Sequence, residues 1–330
     1  GYAYPAINIT SSESLNAALK GFAEADSDGI IQISTGGAEF FSGLGVKHMP
    51  TGARAMAEAA YVLAEKYPMS IALHTDHCQP DKVDKLIRPL LAMTRERRAA
   101  GLPPLFQSHM LDASSIPMEE NLALASELLD ECSELDVILE IEIGIVGGEE
   151  DGVSAEGVPS EKLYTSTEDM LRTAEVLGTG ERGDYLLAAV FGNVHGVYKP
   201  GNVKLRPTIL RDGQAAIEAK YGSDARFALV FHGGSGSTTE EIHETLEYGV
   251  IKMNIDTDTQ WAMWDGVLNY YQEFEPYLQT QLGNPEGPDA PNKKYYDPRA
   301  WLRRSEEFFV ARLTRACEEL NNINTLAVSY

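Results

Sequence analysis

Three histidines, His77, His195 and His232, lie far apart along a chain of 330 residues, yet each comes just after a short apolar run. Imidazoles gathered from separate segments can hold a divalent ion and leave one coordination position open, which is what a catalytic zinc site needs. A lone histidine is more often a hydrogen-bonded structural residue, so the metal reading rests on there being three at equivalent positions. Of the others, His74 and His109 sit near the ends of apolar runs and are expected to pack or to hydrogen-bond behind the site, while His48 and His243 are expected at the surface. Carboxylates accompany the trio. Asp76 directly precedes His77, and Gly147-Gly148-Glu149-Glu150-Asp151-Gly152 sets three acids between glycines. Taken alone, that stretch reads as a solvated, flexible acidic loop. Its glycines would also let it swing over a substrate, where a partly desolvated carboxylate acts as a base. A metal with two carboxylates nearby has the parts for proton abstraction next to a carbonyl.

A second group of residues suits an anion. His232-Gly233-Gly234-Ser235-Gly236-Ser237 leads into a helical pattern beginning near Thr238. Glycines let backbone amides approach a phosphate, and a helix N-terminus adds positive potential. Asn254, Ile255, Asp256 and Thr257 supply amide and hydroxyl donors after a later apolar run. Lys252, inside that run, suits an ion pair or, with a depressed pKa, a Schiff base that would replace the metal. The Schiff base ranks lower because it leaves three histidines without a task. Arg299, in Tyr295-Tyr296-Asp297-Pro298-Arg299, is either a helix-start salt-bridge residue or a second phosphate clamp.

These residues need a frame that brings distant segments to one place. Eight short runs read as strands: Ala3–Ile9, Gly29–Ser34, Ser70–Thr75, Leu105–His109, Val137–Ile143, Tyr185–Phe191, Phe227–Phe231 and Val250–Ile255. Helical patterns fall between them, at Glu13–Ala25, Thr51–Tyr67, Asp81–Ala99, Met118–Leu135, Thr167–Leu177, Pro207–Tyr221 and Thr238–Tyr248. Strands as apolar as Ile30-Ile31-Gln32-Ile33 are expected to be parallel and covered on both faces. Eight βα units give a (β/α)8 TIM barrel more economically than two open sheets, with a doubly wound sheet as the alternative. The chain is expected to form one domain over 1–330, the barrel at about 3–260 and extra C-terminal helices at about 261–330, joined by a connector from Gly283 to Asn292. The polar groups above all follow strands, and barrel active sites form at the C-terminal strand ends.

Composition narrows the function. A 43% hydrophobic share is enough for a large core. With 27 Lys and Arg against 50 Asp and Glu, the net charge is −23, which argues against sequence-independent nucleic-acid binding. An anionic substrate then needs a local positive site. The longest apolar runs, such as Tyr185 to Phe191, fall far short of the ~20 residues that cross a bilayer, so a soluble protein without a membrane partner is expected. Three cysteines, Cys78, Cys132 and Cys317, are an odd, sparse set that suggests reduced thiols in the cytoplasm. The sequence opens at Gly1 without Met, and upstream residues are expected to be missing.

Read together, Leu73 to Cys78, Gly147 to Gly152, Gly192 to Tyr198, His232 to Ser237, Asn254 to Asp258 and Tyr295 to Arg299 closely resemble class II, metal-dependent fructose-1,6-bisphosphate aldolases, and the longer, usually dimeric branch is the better match. The likeness runs from Tyr4 to about Leu320. It implies that His77, His195 and His232 bind the catalytic zinc. It further implies that Asp76 exchanges a proton with the C4 oxygen of the bond cleaved. Glu150 would shuttle the proton at the carbon that becomes the nucleophile, with Glu149 the lesser candidate. Asp112 and Glu142 match positions that hold a second divalent ion in some family structures, and a monovalent cation is expected near the phosphate site. Gly196, Gly233, Gly234, Ser235, Asn254, Ile255, Asp256 and Thr257 would hold dihydroxyacetone phosphate. Ser34 and Arg299 would reach the glyceraldehyde 3-phosphate half, the Arg coming from the neighbouring subunit of a homodimer or higher oligomer.

The resemblance implies reversible aldol cleavage of fructose 1,6-bisphosphate, a step of glycolysis and gluconeogenesis, in which zinc stabilises an enediolate without a covalent Schiff base. Other readings remain open at this point: an aldolase for tagatose 1,6-bisphosphate, a zinc hydrolase, or a sugar-phosphate-binding barrel without catalysis. Two departures stand out. The helix that usually precedes the first strand is absent, and the Gly283 to Asn292 connector is acidic and proline-rich.

Overall fold

The computed structural model describes residues 1–144, 146–150, 153–154, 164–195, 205–234 and 237–326, with the side chains of 147–150, 153–154 and 194–195 outside the description. Eight parallel strands close into a barrel in sequence order: β1 (Tyr4–Asn8), β2 (Gly29–Ser34), β3 (Ile71–Cys78), β4 (Ser108–Leu111), β5 (Ile138–Ile143), β6 (Tyr185–Ala189), β7 (Ala228–Phe231) and β8 (Val250–Ile255), which pairs back onto β1. All eight runs read from the sequence are present. β3 continues beyond Thr75 to Cys78, and β4 starts at Ser108, with Leu105 and Phe106 buried just ahead of it.

Helices α1 (Ser12–Glu24), α2 (Thr35–Phe41), α3 (Met49–Ala64), α4 (Ile87–Ala99), α5 (Met118–Ser133), α6 (Thr167–Leu177), α7 (Thr208–Tyr221) and α8 (Thr239–Glu247) cover the barrel. α2 follows β2 directly and falls between two helical patterns read from the sequence. Ser34 starts it, its Oγ accepting the Gly37 amide at 3.1 Å. The pattern over Asp81–Ala99 divides at Leu86 (φ −132°, ψ −65°) into a 3-10 turn, Pro80–Lys85, and α4.

Beyond the barrel lie α9 (Thr257–Phe274), α10 (Lys293–Tyr296) and α11 (Pro298–Glu319), with a two-stranded hairpin, Leu282–Asn284 and Gly287–Pro291, where a plain connector was expected. α11 packs along α9 and α1. The α9–α11 crossing needs Gly266, since a Cβ there would come within 2.7 Å of the Arg304 carbonyl oxygen and of Ser305 Cα. Among the described residues, no helix is long and apolar enough to cross a membrane.

Side chains alternate along each strand, and here the alternation divides apolar from polar. Ile31 and Ile33 of β2, and Leu139, Ile141 and Ile143 of β5, join the hydrophobic layer. Between them, Gln32, Ser34, Glu140 and Glu142 are buried as well, as are His74 and Asp76 of β3 and Lys252 and Asn254 of β8. The strands are covered on both faces as expected, but one of those faces is a polar lumen. The candidate site grows from that lumen.

Candidate metal centre at the barrel rim

Asp76 and His77 are adjacent, and in a regular strand their side chains would point to opposite faces. His77 instead adopts a left-handed backbone conformation (φ 40°), and the β3–β4 register shifts between Thr75 and Cys78. The resulting irregularity re-aims the strand end, as β-bulges do beside active sites. It brings His77 Nε2 within 4.0 Å of Asp76 Oδ1. A left-handed non-glycine residue costs about 1–3 kcal/mol, a strain that persists only where the surroundings fix it.

The surroundings of His77 and His232 are specific. His77 Nδ1 lies 3.2 Å from Asp112 Oδ2, and His232 Nε2 lies 2.7 Å from Glu140 Oε1. A carboxylate only accepts, so each ring places its proton on that nitrogen. The remaining nitrogens, His77 Nε2 and His232 Nδ1, face each other at 3.0 Å. Asn254 Nδ2 also lies 3.1 Å from His232 Nδ1, and two imidazole nitrogens this close can serve as neighbouring ligands of one cation placed beside them. This donor set therefore fits a metal ion, and nitrogen donors of this kind suit zinc among others. Asp76, His77 and His232 offer ligand atoms within 4.8 Å of one another. The same holds for His77, Asp112 and Glu142, which accords with a second ion beside the first.

Electrostatics agree with the geometry. Burial drives the His232 imidazole below its ordinary value while Glu140 opposes the shift. For Asp112 burial acts upwards, but the hydrogen bonds from His77 and Ser114 prevail and hold the carboxyl well below the usual range. Glu140 shows the same contest, won by Lys252 and by the imidazoles of His74 and His232.

Asp76 is held from two sides. Asn8 Nδ2 donates to its Oδ2 at 2.9 Å and Asn254 Nδ2 to its Oδ1 at 3.0 Å, while Gln32 Nε2 fixes Asn8 through its Oδ1 at 2.5 Å. Both amides donate, so each carboxylate oxygen is held by a side chain from a different strand. Lys252 is ion-paired, its Nζ lying 2.9 Å from Glu140 Oε2 and 2.5 Å from Asn254 Oδ1. The expectation of hydrogen-bonded support holds for His74, whose Nδ1 is 2.7 Å from Ser108 Oγ, and for His109, whose Nδ1 is 2.7 Å from Thr75 Oγ1. Asn8 and Gln32 are the members of this network that the motifs do not single out. Their signal is a polar residue interrupting an otherwise apolar strand.

Other expected residues fall at the rim with differing completeness. The backbone of Gly147–Glu150 is a strand, not a free loop: it pairs with Val153–Ser154 on one side and with Val194–His195 on the other. The segment carrying Glu149 and Glu150 is thus tied to the segment carrying His195, whose side chains are outside the description. Gly196 and Ser235 lie outside the described residues. Gly233 is left-handed (φ 62°), and Gly234 is so close to β8 that a Cβ would meet Met253 Cε at 2.0 Å. The N-terminus of α8 is closed by its own capping box, Thr238 Oγ1 accepting the Glu241 amide and Glu241 accepting the Thr238 amide. The positive potential expected there is partly met by Glu241.

Asn254 is shared between the anion-binding stretch and the Asp76 network, Ile255 is buried at the end of β8, and Asp256 and Thr257 open α9, where Asp256 accepts from Gln260. Ser34 pairs in register with Asp76 while capping α2. Arg299 is not brought to this site. Its guanidinium pairs with Asp297 and its side chain is 90% exposed. His48 is exposed as expected, whereas His243 is partly buried, with Nε2 3.1 Å from the Glu319 carbonyl oxygen.

A closed eight-stranded parallel barrel with imidazole and carboxylate donors converging at one rim defines a (β/α)8 enzyme with a metal centre. Residues 1–325 match the family model "Fructose-bisphosphate aldolase class-II", and the chain belongs to that metal-dependent aldolase family. Fructose-bisphosphate aldolase of Mycobacterium tuberculosis is 57% identical over 324 residues, covering 97% of this chain and 92% of the relative. The Streptomyces galbus enzyme of the same name is 55% identical over 322 residues, with coverages of 97% and 92%. The crystal structure of fructose-bisphosphate aldolase from Campylobacter jejuni superimposes with a TM-score of 0.87 at 45% identity, covering 98% of this chain and 91% of that one.

Proposed function

We propose that this chain cleaves fructose 1,6-bisphosphate reversibly to dihydroxyacetone phosphate and glyceraldehyde 3-phosphate, with zinc as the resident ion. The observation that carries the reading is the facing pair His77 Nε2 and His232 Nδ1, with Asp76 beside it held by Asn8 and Asn254. His77, His195 and His232 hold the ion, and Asp112 and Glu142 offer a second site. When bound, the ion polarises the substrate ketone and offsets the negative charge that develops beside it.

The protein's own groups do the rest. Asp76 takes the C4 hydroxyl proton as the C3–C4 bond breaks, and the two amides aim its carboxylate for that transfer. Glu150, or Glu149 beside it, returns a proton to the three-carbon product. Gly196, Gly233, Gly234, Ser235 and the stretch Asn254 to Thr257 grip one phosphate, where a monovalent cation fits as well. Ser34 and the Arg299 of a second copy grip the other. Two remote phosphates hold the reacting carbons in place, converting binding into orientation. The working form is then a homodimer or larger assembly of single-domain chains, acting in the cytoplasm.

The test is a coupled triose assay on the native protein, on the protein after exhaustive chelation, and after zinc is returned. Cleavage that vanishes and reappears supports the reading. Cleavage that survives complete metal removal refutes it.

A further inference from the structure

Lys252 is 1% exposed in the barrel lumen and joins two structures that the reaction uses for different purposes. On one side its ammonium meets Glu140 Oε2 at 2.9 Å, and the other oxygen of Glu140 meets His232 Nε2 at 2.7 Å. On the other side it donates to Asn254 Oδ1 at 2.5 Å, and Asn254 Nδ2 donates to Asp76 Oδ1 at 3.0 Å. We propose that Lys252 is a positioning residue for the proton-transfer carboxylate Asp76: anchored on Glu140, the carboxylate that also braces His232, it orients the Asn254 amide that holds Asp76. The proposal rests on the functional reading above.

The chemistry of each link is directional. An asparagine amide can be turned end for end at little cost in shape, and the turned form would set its oxygen against the carboxylate of Asp76. An ammonium has only donors, so Lys252 forces the Asn254 oxygen towards itself and the NH2 towards Asp76. On the Glu140 side, the same ammonium neutralises a fully buried carboxylate, which would otherwise be an uncompensated charge in the lumen. Glu140 is left to accept the His232 Nε2 proton, which leaves Nδ1 as the ring's acceptor nitrogen, 3.1 Å from the same Asn254 Nδ2 that holds Asp76. The strand register permits the arrangement, because Lys252 and Asn254 are two apart on β8 and share one face.

The test compares Lys252→Met, which keeps most of the stem and removes the charge, with Asn254→Ala, Glu140→Gln and the doubles. Lys252→Met, folded and loaded with zinc, is expected to lose about 10–100-fold in kcat with KM within about threefold, the range seen when a supporting partner is removed. Zinc titration of the metal-free proteins should leave Lys252→Met within about threefold of wild type, whereas Glu140→Gln weakens binding about 10–100-fold. If Lys252 acts through Asn254, the Lys252→Met and Asn254→Ala double has the kcat of Asn254→Ala alone, the signature of shared action. Fully additive losses overturn the proposal, and so does a mass adduct on Lys252 after borohydride treatment with dihydroxyacetone phosphate.

Lys252→Met leaves a buried charge and its folding is a separate matter. The Glu140→Gln and Lys252→Met double carries none, and should still turn over about tenfold more slowly than Glu140→Gln alone at saturating zinc. Equal rates for those two also overturn the proposal. A wild-type protein that does not cleave the sugar strikes the functional reading instead. In that case the zinc titrations still decide for or against Lys252, since a Lys252→Met that binds zinc as weakly as Glu140→Gln contradicts its assignment to Asn254.

Discussion

His77 and His232 turn Nε2 and Nδ1 towards each other across 3.0 Å, and each braces its opposite nitrogen on a carboxylate, partly buried Asp112 for one and fully buried Glu140 for the other. Matched bracing of this kind fixes both tautomers before any ion arrives. The pair is preorganised for binding, and its disruption should be read first as a loss of metal.

His232→Ala is expected to abolish stoichiometric zinc and turnover together, measured by elemental analysis and the triose assay on one preparation. His195→Ala tests a ligand whose segment is anchored to Gly147–Glu150. It should behave the same way, and a His195→Ala protein with full zinc and full activity removes that residue from the ligand set.

Asp76→Ala should separate binding from chemistry. Zinc content stays near wild type while kcat for cleavage falls about 10²–10⁴-fold, the usual contribution of a general base. Exchange of the dihydroxyacetone phosphate C–H proton with solvent, followed by NMR, should persist, because that step is assigned to Glu150 or Glu149. A variant that cleaves normally shows that another group takes the proton.

Acid should destabilise the fold through His109. Burial pushes its imidazole down to about 3, whereas in the unfolded chain it protonates near its ordinary value of about 6.5. Between these values the unfolded state holds the extra proton, so stability is full above the upper one. It then falls with pH by up to about 1.4 kcal/mol per unit as far as the lower one. His109→Gln should flatten the pH dependence of the urea midpoint between pH 6.5 and 4.5. Equal slopes in the two proteins would show that this ring gives no such dependence.

Arg299 gives a test of assembly. Its guanidinium is solvated beside Asp297, away from the metal centre of its own chain. Arg299→Ala should raise KM for the bisphosphate about tenfold or more, as loss of a charge-assisted phosphate contact does. Mixing it with inactive Asp76→Ala protein should recover activity above the sum of the two, since a hybrid pair contains one intact site. No recovery under conditions that exchange subunits would place the phosphate clamp elsewhere.

The barrel was legible because its signal is periodic. Each βα unit repeats the same alternation, and eight repeats leave few topologies. The histidines proposed as ligands stood out because they occur at equivalent points of that repeat, and the structure brings His77 and His232 together. What escaped lies at single positions. Nothing in His74-Thr75-Asp76-His77 announces a left-handed residue, so the convergence of Asp76 and His77 follows from backbone geometry alone. Asn8 and Gln32 look like minor interruptions of apolar strands until the closed sheet places them in one lumen. The capping box of α8 is written in Thr238 and Glu241, directly after the glycine-rich run proposed to bind an anion. The hairpin at Leu282–Asn284 was masked by prolines that usually signal a coil.

The kink at His77 has an evolutionary corollary. One backbone irregularity lets two successive codons serve a single pocket, so the two tasks proposed for His77 and Asp76 are inherited as a unit. A one-residue insertion or deletion in β3 upstream of Asp76 would shift both groups together and silence the enzyme in a single step. Point substitutions, by contrast, can adjust one capability at a time. Divergence towards new substrates is therefore freer in the loops around the rim than in the strand that carries this doublet.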